Sequence, residues 1–474
     1  MDTEDCLYLT IFMPIVIGIN IFMPITRPIQ QYPVLIWFHE HSSFHGSDFF
    51  IDEEVIVVRA GYRTRIFGFL NTDDDFAEGN MGAKDIITAI KWVKNNIKLF
   101  NGDPERITAA GSGTAATTVA SMLVSPMAKS LCSGFIVLSG SALSPSNYNK
   151  EHLKATNKVL NKLQSQYKTF NRRSLYEILS NCTTDKLLSV SRGLFDSTEV
   201  RDNQRLINSF SCSLEITSKD PFMRQPPLEL YETKCVNNIP VIMGYTNLES
   251  LFRLKGIAHN RNLLSYLNYN FQYVLPFEGQ TYEYESKSYK NIQRQIMGFY
   301  FLNGTITERS LRRYAKYISD IQTYSLLRQA VLQCGISSSP VYLYRFAFKG
   351  SFNIGWRNSV PNLNWTGATE NDEICYLFRC KSLYSAYSDA QSNEKEFIGK
   401  IVELFANFVK NGNPSRDKGG YELDNLKWDP LKSDTNIRAM NLARELKMVT
   451  VPEGKRMRFW DRLRKEINVA NNSK

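Results

Sequence analysis

The chain has 474 residues, of which 43% are hydrophobic and 22% charged. That composition is ordinary for a globular protein and ample for a large core, and no low-complexity linker divides it. The formal net charge of +10 raises the question of nucleic acid or an anionic membrane. The basic residues are scattered, however, and their densest group (Lys455, Arg456, Arg458, Arg462, Arg464 and Lys465) reads as the solvated face of a final helix, so nucleic acid is not expected as a partner. Eight cysteines include no CxxC pair, which argues against a zinc site, and their spacing is unlike that of a small disulfide scaffold.

Residues 7–26 carry no charge. A membrane anchor is the first thought for such a run. Pro14, Gly18, Asn20 and Pro24 interrupt it, and Asp2, Glu4 and Asp5 precede it, where a signal peptide needs positive charge. Two buried strands at a sheet edge fit better, membrane contact is not expected, and the cytoplasm is slightly favoured over secretion. The run contains Ile11-Phe12-Met13-Pro14-Ile15 and again Ile21-Phe22-Met23-Pro24-Ile25, a duplication that reads as an insertion or an assembly flaw.

Apolar, β-rich runs follow at 34–38, 55–58, 107–110, 135–138, 241–243 and 341–346. Helical patterns fall between or after them at 82–96, 117–123, 151–164, 310–333 and 394–410, the last stopped by Asn411-Gly412-Asn413-Pro414. Strands alternating with helices predict an α/β fold with a mostly parallel sheet, and continuous apolar runs are what strands buried on both faces require. The more polar stretches 147–218 and 260–309 read as helical cap material around a pocket. One domain, 1–474, is expected.

The segment Ile107-Thr108-Ala109-Ala110-Gly111-Ser112-Gly113-Thr114-Ala115 runs from an apolar strand through a turn of small residues into a helix, the layout of a nucleophile elbow, G-x-S-x-G. Around it stand Asn101-Gly102-Asp103-Pro104, Leu123-Val124-Ser125-Pro126-Met127 and, at the start, Glu4-Asp5-Cys6-Leu7-Tyr8-Leu9. These words resemble the type-B carboxylesterase and cholinesterase family, insect alpha-esterases in particular. Others continue in the family's order, among them Gly79-Asn80-Met81-Gly82-Ala83-Lys84-Asp85, Pro240-Val241-Ile242-Met243-Gly244 and Ala406-Asn407-Phe408. The resemblance implies an α/β-hydrolase fold and, ancestrally, hydrolysis of carboxylic esters by a Ser-Glu-His triad without a cofactor. Because family members carry a sheet region before the first word, it also implies that N-terminal strands are missing and the domain truncated there. In secreted members the cysteine matching Cys6 pairs with one further upstream.

Carried over residue by residue, the resemblance puts Gly113 at the nucleophile position, where the serine is lost. Ser112 reads as a small polar neighbour of the turn. Of five histidines none lies beyond His259, and Glu370 occupies the base position, within Gly367-Ala368-Thr369-Glu370-Asn371-Asp372-Glu373. Glu249 matches the retained acid; with no histidine to orient, it is expected to have a new partner or a raised pKa. Where the family has H-G-G-G, this chain reads His39-Glu40-His41-Ser42-Ser43, so His41, Ser42 and Thr114 hold the oxyanion-hole positions. His39, His41, His45 and Glu40 invite a metal reading, but the segment should be a loop, and no metal is expected. The resulting picture is a hydrolase-shaped protein with hydrolysis lost and hydrophobic esters or lipids as ligands. Two alternatives stay open: a non-catalytic, cholinesterase-like adhesion or protein-binding module, and an ester hydrolase with residual activity.

Overall fold

A computed structural model describes residues 6–14, 31–39, 45–167, 172–255, 257, 260–301, 304–355, 365–415, 426–432 and 436–472. Eleven strands occur among them: β1 (Leu9–Phe12), β2 (Tyr32–Phe38), β3 (His45–Gly46), β4 (Ile56–Ala60), β5 (Gly102–Ser112), β6 (Gly134–Leu138), β7 (Val241–Thr246), β8 (Val341–Phe346), β9 (Arg379–Cys380), β10 (Arg438–Leu442) and β11 (Lys447–Thr450). Nine form one sheet in the order β1-β4-β2-β5-β6-β7-β8-β10-β11, and β3 pairs with β9 separately. From β4 across to β10 the pairing is parallel; β1 and β11 close the two edges antiparallel.

The apolar runs form strands because both faces of the sheet are covered. In β2, Val34, Ile36 and Phe38 enter one core while Leu35 and Trp37 enter the other. β6 divides in the same way, with Phe135 and Val137 on one side and Ile136 and Leu138 on the opposite side. A period of two is thus present in runs that look uniformly apolar. Each such fully buried side chain is worth about 1.5–3 kcal/mol relative to exposure.

All six strands expected at 34–38 to 341–346 are present: the last keeps its bounds, the second runs Ile56–Ala60, and the third is much longer at Gly102–Ser112. The first half of the uncharged run is β1, which pairs with β4 through Leu9↔Ala60 to Phe12↔Val57 as a partly buried edge strand; residues 15–26 lie outside the described set. Among the described residues no helix is long and apolar enough to cross a membrane. The polar stretches form helices, including His152–Tyr167, Thr184–Ser191 and Arg261–Tyr269.

The helix Thr114–Met122 follows β5 and is buried from Ala115 to Met122. It lies so close to its neighbours that side chains are excluded: a Cβ on Gly111 would stand 2.7 Å from the carbonyl carbon of Ala115, and one on Gly140 would stand 2.6 Å from that of Ala116. Gly140→Ala should therefore force the helix outward, costing about 1–3 kcal/mol as overpacking does. Urea denaturation should show a lower midpoint; an unchanged midpoint would mean the helix is not seated this tightly.

Candidate functional site

The predicted site positions emerge at one end of the sheet, the carboxyl ends of parallel strands, where open α/β sheets bind ligands. Gly113 directly follows β5, Glu249 lies three residues past β7, and Glu370 lies in the loop after β8. Sequence separations of more than a hundred residues are closed by the strand order alone.

Gly113 holds φ +64 and ψ −130, a backbone that side-chain-bearing residues adopt only under strain. The turn thus has the sharp geometry of an elbow. A Cβ built on Gly113 would meet no atom within 4 Å, so the apex opens into free space. That space is a cavity of about 700 Å³, lined among others by Gly113, Thr114, Ser139, Arg253, Glu370 and Asn371. Its wall is mostly hydroxyl, amide and charged groups, with Leu206, Ile207 and Phe252 as the apolar part.

Ser112 is turned elsewhere. It is buried, and its Oγ donates a hydrogen bond to Asn371 Oδ1 rather than facing the cavity. Asn371 sits at φ +71, a left-handed conformation that asparagine tolerates better than most residues. The bond ties the end of β5 to the loop carrying Glu370, a link that a search for catalytic motifs does not look for.

Glu249 is 1% exposed. Its Oε2 accepts from the backbone N–H of Thr246 at 2.8 Å and from the Thr246 hydroxyl. Its own carbonyl accepts from Glu370 N and from Thr369 Oγ1, both at 3.1 Å, which fixes the next loop against it. Burial pushes the Glu249 carboxyl up to about 7, the negative charge of Asp372 adds to this, and the Thr246 and Ser139 groups pull it back. The Ser139 hydroxyl stands close enough to exert that pull, yet its geometry makes no formal hydrogen bond. Glu249 thus has Thr246 as its hydrogen-bond partner and a raised pKa.

Two more carboxylates crowd this region. Asp372 is fully buried and accepts from Thr369 N at 2.8 Å. Glu373 accepts from the Tyr344 hydroxyl at 3.2 Å, and burial together with the charge of Glu249 holds its carboxyl well above the usual range. Glu370 itself is half-buried on the cavity wall. Arg253 stands on the same wall with its side chain partly open to solvent; desolvation of the guanidinium lowers its pKa, and the Glu370 charge offsets this only in part.

Of the oxyanion-hole positions, Thr114 begins the buried helix and lines the cavity. His41 and Ser42, with Glu40, lie outside the described residues, as does His259. His39 stacks on Trp37 with ring centroids 5.9 Å apart, and His152 pairs with Asp73 at 3.0 Å. Among the described residues no histidine lines the cavity, and no group of three or more histidine, cysteine or acidic side chains is arranged to hold a metal. A disulfide that the cysteine spacing did not announce joins Cys375 to Cys380, just beyond the acidic loop.

The sequence profile described as "Carboxylesterase family" matches residues 1–460. The chain belongs to the carboxylesterase family. Among similar proteins, the juvenile hormone esterase of Tribolium castaneum is 26% identical over 452 residues, covering 90% of this chain and 73% of that protein. Carboxylesterase 5A of Homo sapiens is 28% identical over 476 residues, covering 94% of this chain and 72% of that protein. The crystal structure of juvenile hormone esterase from Manduca sexta, with OTFP covalently attached, superimposes with a TM-score of 0.75 at 21% identity, covering 97% of this chain and 84% of that one. The fold is that of an α/β-hydrolase.

The Glu249 carboxyl has a testable consequence. Unfolded, it titrates near its ordinary 4.5; folded, it keeps its proton to about 7. Between those values the folded state binds more protons, so stability falls as pH rises across this window, by about 3 kcal/mol in all, and the penalty is absent below it. Urea midpoints measured at pH 5 and pH 8 should differ less in Glu249→Gln than in the parent. An identical pH dependence in both would show that the group is not buried as described.

Proposed function

We propose that this protein is a carboxylesterase-family member that binds ligands in its pocket and no longer hydrolyses esters. The observation that carries this reading is the apex of the elbow. Gly113 has the backbone that would present a nucleophile to the cavity, and the space for one, but no reacting atom. Acyl transfer also needs a base to take the nucleophile's proton. Glu370 takes that place in the reading, and a carboxylate, ordinarily titrating near 4, is a poor base for a hydroxyl. Ser112 is no ready substitute, since it does not line the cavity and its hydroxyl is engaged by Asn371.

A cavity of about 700 Å³ suits a ligand of drug or hormone size. Its mixed wall favours esters or lipids with a polar end over wholly apolar ones. The Cys375–Cys380 disulfide weighs against the cytoplasmic placement read from the N-terminus, because such bonds persist mainly in oxidising compartments.

The test is turnover of a short aryl ester by purified protein, with and without an organophosphate. The expected result is a rate at the non-enzymatic background, unaffected by the organophosphate, and its appearance as organophosphate-sensitive turnover in Gly113→Ser/Glu370→His. Organophosphate-sensitive hydrolysis by the unaltered protein would overturn the reading in favour of a residually active esterase.

A further inference from the structure

Beside the cavity at Gly113 lies a neighbouring one. A second cavity of about 590 Å³ shares Thr114, Asn208 and Ser209 with the first, and its wall carries Arg65 and Arg192. Arg65 opens the helix Arg65–Phe69 and Arg192 closes the helix Thr184–Ser191, two helices that pack on each other. Both side chains are exposed, no acidic residue lines this cavity, and neither guanidinium has an ion-pair partner among the described residues. Lys162 adds a third cation nearby, with Nζ donating to the carbonyls of Val190 and Arg192 at 3.2 and 3.0 Å.

Two features of this arrangement call for an anion. Like charges gathered on one wall repel unless a counter-charge lies between them. Arg65 also holds φ +54, a left-handed backbone that costs energy for any residue but glycine, and that projects its side chain from the first residue of its helix. Guanidinium forks match the paired oxygens of carboxylates and phosphates better than any other side chain. In the first cavity Glu370 and Arg253 offset each other, whereas no acidic residue lines the second, so an anionic group is favoured in the second.

We propose that the second cavity is an anion-binding subsite, and that the pocket takes an amphiphile whose carboxylate or phosphate lies between Arg65 and Arg192 while its uncharged part reaches Gly113. This rests on the reading of the pocket as a ligand-binding one. It goes beyond that reading by making the free acid or phosphate, rather than the neutral ester, the preferred ligand.

The experiment is calorimetric titration of the full chain with dodecanoate, dodecyl phosphate and methyl dodecanoate, each below its micellar concentration, repeated with Arg65→Gln/Arg192→Gln. Both arginines are exposed, so the variant should keep the parent's melting curve, which is recorded first. The expected result is at least tenfold tighter binding of one or both anions than of the methyl ester, weakening with added salt. The variant should lose that preference and keep its affinity for the ester. Tighter binding of dodecyl phosphate would assign the subsite to phosphate, and of dodecanoate to carboxylate. Equal affinity for ester and anions, or a preference that survives in the variant, would overturn the subsite while leaving the pocket a binder of esters. No binding of any of the three would overturn the binding reading and the subsite with it.

Discussion

At Gly113 the chain leaves an inner strand of the sheet and turns into a buried helix with φ +64 and ψ −130, and the pocket is placed by that turn. The helix Thr114–Met122 can lie against the sheet only because Gly111 and Gly140 present no side chain to it. With the helix so placed, Thr114 faces the cavity and β7 and β8 deliver their loops alongside. The same constraint serves catalysis in a fold of this kind by exposing one atom. In this chain the constraint is kept with Gly113 at the apex. A glycine relieves the strain that a side chain would suffer at this backbone angle.

The charges beside the elbow form a group of buried carboxylates. Glu249, Asp372 and Glu373 are all buried within one region, and no histidine among the described residues lines the cavity beside them. Burying a carboxylate is costly unless hydrogen bonds or a proton offset it. Both offsets occur. Thr246 donates twice to Glu249, Thr369 donates to Asp372 and Tyr344 to Glu373, while burial and mutual repulsion favour the protonated forms of Glu249 and Glu373. The region is held as a hydrogen-bonded acid cluster.

Much of the fold was legible in the residues. The six apolar runs became inner strands because the interior of a parallel sheet demands apolar side chains on both faces, and the words around Gly113 gave the strand-turn-helix directly. The last two strands, β10 and its edge neighbour β11, were missed: Arg438–Leu442 and Lys447–Thr450 are short and mix charged and apolar residues, so neither reads as a continuous apolar run. Positions of the site could be named from motifs, since motifs follow the chain. Its environment could not. The Ser112–Asn371 bond spans 259 residues, and the pairing of Arg65 with Arg192 depends on two helices whose packing no periodicity specifies. The polarity of the wall was likewise hidden, because aromatic content alone does not say which rings are in the core.

The most direct measurement is intact-mass analysis of the purified protein after incubation with a fluorophosphonate, which labels activated serines. The account predicts an unmodified mass, because the residue that faces the cavity at the elbow is Gly113. Stoichiometric addition of one phosphonyl group, mapped to Ser112 or to any other serine of the pocket, would contradict it.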